Sequence, residues 1–223
     1  SRSSGEGLSL SGPALCLWRA PTENDLIRNM GGQEEKPATR WIEAGLNALQ
    51  GAWRVCEPAP EGSVGSAEAV YSHAGQERAR IRQILRRVPG SAWHRLDVVI
   101  SLSEIIADLP RIGLRFDLPA GYEALRWYGR GPHENYPDRA HGSRVGVHRS
   151  TVTDQYVPYI VPQEHGGHSD TRRLELAADA DRNLPRLEVA APPGELFHFS
   201  ALHSAPEDLD TLSHTPQIEP REE

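Results

Sequence analysis

The 223-residue sequence predicts an all-β sandwich or barrel, on three observations. Glycine and proline number 20 and 18, and they fall at fairly regular intervals between short apolar runs, as turns do between short strands. Apolar residues recur with period two, the repeat of a strand with one buried face. Helical signals are few.

Taken in chain order, Thr39 is placed to cap a short helix in which Trp41, Ala44, Gly45 and Ala48 recur at helical spacing. Residues 57–69, rich in Pro, Gly, Ser and Ala, read as a loop and as the segment most suited to mobility. Arg78, Arg80, Arg82, Arg86 and Arg87 alternate with Ile81, Ile84 and Leu85, which predicts the solvated face of a strand. Leu96 to Leu102 carries Val98-Val99-Ile100 and reads as a strand buried on both faces or nearly so. Between Pro110 and Pro119, the side chains of Ile112, Leu114, Phe116 and Leu118 are expected on one face of a further strand. Leu125 with Trp127, Leu174 with Leu176, and Leu187 with Val189 supply more period-two pairs. Ser204-Ala-Pro-Glu207 has capping-box spacing, with Leu209 and Leu212 following on one helical face.

Composition excludes several functions. A net charge of −7 argues against nucleic acid, which selects basic surfaces. No apolar run approaches the roughly 18 residues of a bilayer span. Cys16 and Cys56 form no C-x-x-C pair and lack zinc spacing, so a reducing cytoplasm is the expected setting. The only Met is Met30, and the acidic end at Glu219 to Glu223 has no hydrophobic anchor, so the chain reads as a segment of a longer product.

Three strings carry more specific information. The first is Leu17-Trp-Arg-Ala-Pro-Thr-Glu-Asn-Asp25, followed by Trp41-Ile-Glu-Ala-Gly-Leu46. The second is Leu125-Arg-Trp-Tyr-Gly-Arg-Gly-Pro-His-Glu-Asn-Tyr-Pro-Asp-Arg139. The third is Tyr156-Val-Pro-Tyr-Ile-Val-Pro-Gln-Glu-His-Gly166. Together they resemble, in order and at similar distances, the last domain of the β-galactosidases of glycoside hydrolase family 2. Glu23 stands where Asp is commoner in that pattern, and His165 where Asn is usual.

The resemblance implies an antiparallel β supersandwich similar to galactose mutarotases, as one domain over residues 1–223. Family members extend past the equivalent of Glu223, so the resemblance also implies a fold truncated at its C-terminal end. The intact enzyme would hydrolyse terminal β-galactosides with retention, which needs two carboxyl groups about 5–5.5 Å apart. In the family both are glutamates on a TIM barrel, and no string contains either, so no catalytic residue and no cofactor carry over to this chain. The implied partners are the barrel of the same polypeptide and, in the intact enzyme, carbohydrate; homo-oligomers are common in the family.

Structural or domain-interface roles are expected for Arg19, Asn24, Asp25, Glu134, Asn135, Tyr136, Asp138, Arg139, Gln163 and Glu164. Glu134 and Glu164 sit in Gly/Pro-rich turns, where a carboxylate accepts backbone N–H bonds and fixes a loop. Asp138 next to Arg139 suggests a buried local ion pair, while Asn135 and Arg139 are the weaker candidates for direct sugar contact. Glu164, His165, His168 and Asp170 are the only residues with a metal-ligand pattern, and a structural reading is preferred for them. Trp127, Tyr128, Tyr136, Tyr156 and Tyr159 are expected to fill a core rather than to stack on sugar. The alternative function is a stand-alone carbohydrate-binding or mutarotase-like module, for which His133, His141, His148 and Glu164 would be the acid–base candidates.

Overall fold

The computed structural model describes residues 11–27, 35–178 and 184–210, and it is built almost wholly of antiparallel strands. Two compact units are formed. One comprises Ala14–Arg19 and Glu23–Arg115; the other comprises the described residues from Phe116 onward with residues 11–13 and Ala20–Thr22. Two strands, β1 (Ser11–Cys16) and β6 (Gly113–Asp117), form a two-stranded sheet.

In the first unit a short helix, α1 (Pro37–Glu43), precedes four strands: β2 (Gln50–Val55), β3 (Ser63–His73), β4 (Gln76–Arg87) and β5 (His94–Leu102). They form an antiparallel meander in the order β2-β3-β4-β5. One face carries Ala69, Tyr71, Ala79 and Ile81, which close with Leu15, Leu17, Trp18, Trp41 and Leu46 into a buried core. The opposite face is charged, with Glu68 held between Arg54 (2.9 Å) and Arg80 (2.6 Å). The β3–β4 hairpin closes on Ala74 and Gly75, both at positive φ (50° and 74°), as a two-residue turn between right-twisted strands requires.

Several expectations for this unit need correction. Helix α1 begins at Pro37 with Lys36 as its N-cap, so Thr39 lies inside it. Proline at the first helical position presets φ and lacks only a donor that would be unbonded there anyway. The loop is confined to 57–62, because from Ser63 the chain pairs with β4 and, from Ala67, with β2 as well. Val99 is 63% exposed, since it lies opposite Arg82 on the charged face, and only its neighbours Val98 and Ile100 turn to the core. Arg78 is buried at a register shift, where Tyr71 opposes Ala79 and Ser72 opposes Glu77. Two residues of β4 span one step of β3 there, so the bulge turns the arginine inward. Its Nε donates to the carbonyl of Ala44 at 2.8 Å.

In the second unit, β7 (Tyr122–Gly131), β8 (Arg144–Thr151), β10 (Arg173–Ala178) and β11 (Leu187–Ala190) form an antiparallel sheet in the order β11-β10-β7-β8. A second, two-stranded sheet pairs β9 (His168–Thr171) with β12 (Phe197–Phe199), and α2 (Pro206–Asp210) follows. Leu125 and Trp127 on β7 and Leu174 and Leu176 on β10 bury a common face with Tyr122, Val152 and Phe199. Leu187 packs on this core, whereas Val189 is 36% exposed on the edge strand β11. The expected single apolar face around Ile112 to Leu118 does not form, for Ile112 and Phe116 are exposed. Helix α2 starts one residue later than the capping-box spacing suggests: Asp208, not Glu207, accepts the N–H of Ala205 at 2.8 Å. Leu209 is buried as expected, and Leu212 lies outside the described residues.

Candidate functional site

The second and third strings meet at one carboxylate. Glu134 follows the end of β7, past a cis Gly131–Pro132 bond, and its side chain is 12% exposed. Its Oε2 accepts the backbone N–H of Gly166 at 2.9 Å. Its Oε1 accepts the hydroxyl of Tyr159 and the guanidinium of Arg139, the latter at 2.5 Å. Burial alone would raise the pKa of this carboxyl, but the bonds from Tyr159, Gly166 and Arg139 outweigh it and hold the pKa below the ordinary value. Burial raises the Tyr159 hydroxyl pKa, and the bond to Glu134 raises it further. Tyr136 is raised more strongly, by burial first and then by the charges of Glu164 and Glu134.

Next to this hub, Asn135 is wholly buried and every polar atom of its amide is used. Its Oδ1 accepts the N–H (2.9 Å) and hydroxyl (2.6 Å) of Ser169, while its Nδ2 donates to the carbonyl of His133 at 3.0 Å. Its backbone N–H donates to Gly167 at 2.7 Å. Gly166 sits at φ +68°, and a Cβ at Gly167 would meet Tyr136 and His198 at 2.7 and 2.6 Å, so both positions need glycine.

The pair expected between Asp138 and Arg139 does not form. Asp138 is exposed at a turn, and Arg139 reaches back over the Tyr136 ring (5.5 Å) to Glu134. Adjacent side chains in a tight turn diverge, whereas a span of five residues lets the guanidinium fold onto the carboxylate. Gln163 supplies a carbonyl that pairs with His165 Nδ1 at 2.9 Å, and Glu164 is buried, its N–H donating to Ala20 at 3.3 Å. The first string makes a clamp of its own in the other unit. Arg19 binds Asp25 bidentately at 2.6 and 2.9 Å and lies over Trp41, while Asn24 is exposed in a short 3₁₀ turn.

His165, His168 and Asp170 go separate ways. His168 lies between Trp127 (4.3 Å between ring centroids) and Phe199 (5.1 Å), and pairs with the Gln155 side-chain oxygen at 2.6 Å. Burial lowers its pKa to about 4, so it is neutral at physiological pH and Nε2–H is the donor. Asp170 pairs with Arg130 at 2.5 Å. Among the described residues no three His, Cys, Asp or Glu gather as metal ligands would. Of the five aromatics, Trp127 is a core residue that donates to the Arg130 carbonyl, but Tyr128 and Tyr156 are 45% and 40% exposed. His133 and His141 are exposed, and His148 is spent against Trp127. Both cysteines are free thiols.

Sequence reasoning missed Gln155, Ser169 and Arg130. Gln155 lies one residue before the third string and holds His168, Ser150 and Thr151 together. Arg130 stands between Gly129 and Gly131, and that crowded setting was the available signal. A Cβ on Gly129 would lie 2.6 Å from Thr171 Oγ1 and 2.9 Å from its Cα.

These features define an antiparallel β protein whose string carboxylate Glu134 accepts three internal donors. Residues 2–223 match the family described as "Beta galactosidase small chain". The chain belongs to that family. It is 34% identical over 230 residues to a β-galactosidase of Arthrobacter sp. (strain B7), covering 95% of this chain and 22% of that protein. Against a β-galactosidase of Vibrio cholerae serotype O1 it is 34% identical over 210 residues, with 91% and 19% covered. Against one of Priestia megaterium it is 31% identical over 200 residues, with 83% and 18% covered. The chain thus spans about a fifth of the length of these curated relatives.

Proposed function

We propose that this chain is the non-catalytic C-terminal segment of a β-galactosidase, which packs on the remaining polypeptide and shapes the mouth of an active site carried there on a TIM barrel. One observation carries the reading: 95% of the chain matches a β-galactosidase of which it makes up only 22%. The site geometry supports it. Retaining hydrolysis needs an acid/base and a nucleophile free to approach the sugar. Glu134 is saturated by Tyr159, Gly166 and Arg139, and Glu164 is buried. Both cysteines are free, which supports a cytoplasmic enzyme. Among the described residues no helix is long and apolar enough to cross a membrane.

The test is to assay the purified chain with a chromogenic β-galactoside, alone and as part of the full polypeptide. The expected result is no turnover alone, and activity in the full polypeptide that depends on the segment. Turnover by the isolated chain that vanishes in Glu134→Gln or Glu164→Gln overturns the reading. Micromolar galactose binding by the isolated chain would favour a self-contained sugar-binding module.

A further inference from the structure

We propose that the loop tip formed by Tyr156, Ile160 and Val161 is the plug by which this segment docks into an apolar pocket on the remainder of the β-galactosidase polypeptide. The proposal rests on the reading just given and names the surface that performs it. Ile160 is 84% exposed, Val161 42% and Tyr156 40%, so three large apolar side chains stand in water within six residues. Scattered exposed apolar residues are ordinary, but three within one six-residue stretch of loop mark an interaction surface.

The tip is also stiff. Pro158 and Pro162 fix two backbone angles across it. Its backbone bonds to itself from Tyr159 to Val157 at 2.9 Å, and Tyr156 donates back to Thr153 at 3.2 Å. Tyr159 turns inward to Glu134, and the same carboxylate takes the Gly166 N–H at the far end of the third string. Polar groups therefore point into the domain and apolar ones out of it. A projection ordered in advance loses little entropy on binding, which is how interface anchors gain affinity.

The occupant follows from length. Relatives that match nearly the whole segment are about five times as long, so most of the polypeptide surrounding it in this family lies outside these 223 residues. That remainder, rather than a second copy or a sugar, is the surface the tip meets.

The experiment places p-benzoylphenylalanine at position 160 of the full polypeptide and maps the photoproduct by mass spectrometry. A cross-link to a segment outside the 223 residues is expected. In the same polypeptide, Ile160→Asp should speed amide hydrogen exchange over residues 157–161 by about tenfold or more, the scale of one buried isoleucine. Ile160→Leu, which keeps the tip apolar, should leave exchange unchanged. Cross-linking only to a second copy, or exchange unaltered by Ile160→Asp, overturns the proposal. When activity still requires the segment, that result leaves the reading above standing; activity that survives deletion of the whole segment overturns both.

Discussion

Glu134 and Gly166 lie 32 residues apart in sequence, yet the glutamate Oε2 accepts the glycine N–H at 2.9 Å. One bond thus joins the loop after β7 to the end of the Tyr156–Gly166 string. The two strings are local in sequence, but their geometry is shared.

Glu134→Ala should therefore destabilise the chain by about 2–4 kcal/mol, because it removes the acceptor of the part-buried Tyr159 hydroxyl and Gly166 N–H together. Asp138→Ala, at an exposed turn position, should stay within about 0.5 kcal/mol of the parent. Urea unfolding of both variants decides the matter. A larger loss for Asp138→Ala would reverse the assignment of Arg139's partner.

Acid should weaken the fold from two directions that add. His168 titrates near 4 when folded against an ordinary 6.5, so below pH 6.5 the unfolded chain binds the extra proton. Its contribution is complete above pH 6.5 and is lost as pH falls toward 4, on the order of 3 kcal/mol. Glu134, held below its ordinary value, contributes above that value and loses the contribution as pH falls further. Unfolding free energy measured from pH 7 to 4 should decline, and His168→Gln should flatten the upper part of that decline.

Gly129→Ala should cost about 1–3 kcal/mol, the usual range for overpacking. Its new methyl would face the Thr171 backbone at 2.9 Å and the Asp170 carbonyl at 3.2 Å, neither of which can rotate away. Thermal melting should fall, with the loss concentrated where β9 packs beneath β7.

Ala74→Gly should stabilise the first unit by about 1 kcal/mol. Ala74 holds φ +50° in the β3–β4 turn, a left-handed conformation that a Cβ resists and glycine does not. An unchanged or lower midpoint in urea would show that the lost chain entropy outweighs the relieved strain.

What the sequence discloses is parity, and what it conceals is partnership. Leu125, Trp127, Leu174 and Leu176 are legible because one buried face imposes period two whatever lies opposite. Val98-Val99-Ile100 is misleading because hydrophobicity does not say whether one face of a sheet is covered or both. Arg78 goes inward at a bulge that is defined only by β3 across from it. Similarly, Asp138 sits beside Arg139 in the chain, but the shape of the turn delivers the guanidinium to Glu134. Asn135 looked able to reach a sugar, and only the approach of Ser169 shows its amide occupied.

Strand β2 pairs with β3 on one side, and among the described residues nothing pairs on the other. All six of its residues are exposed, Trp53 and Val55 included. When these 223 residues stand alone, that row of unbonded amides and carbonyls is a template for another chain's strand. Arg54, the only charged residue of the strand and drawn to Glu68, is the main deterrent to such growth. Storage at high salt, which screens charge, should therefore hasten fibrillar association of the isolated segment, and Val55→Lys should slow it.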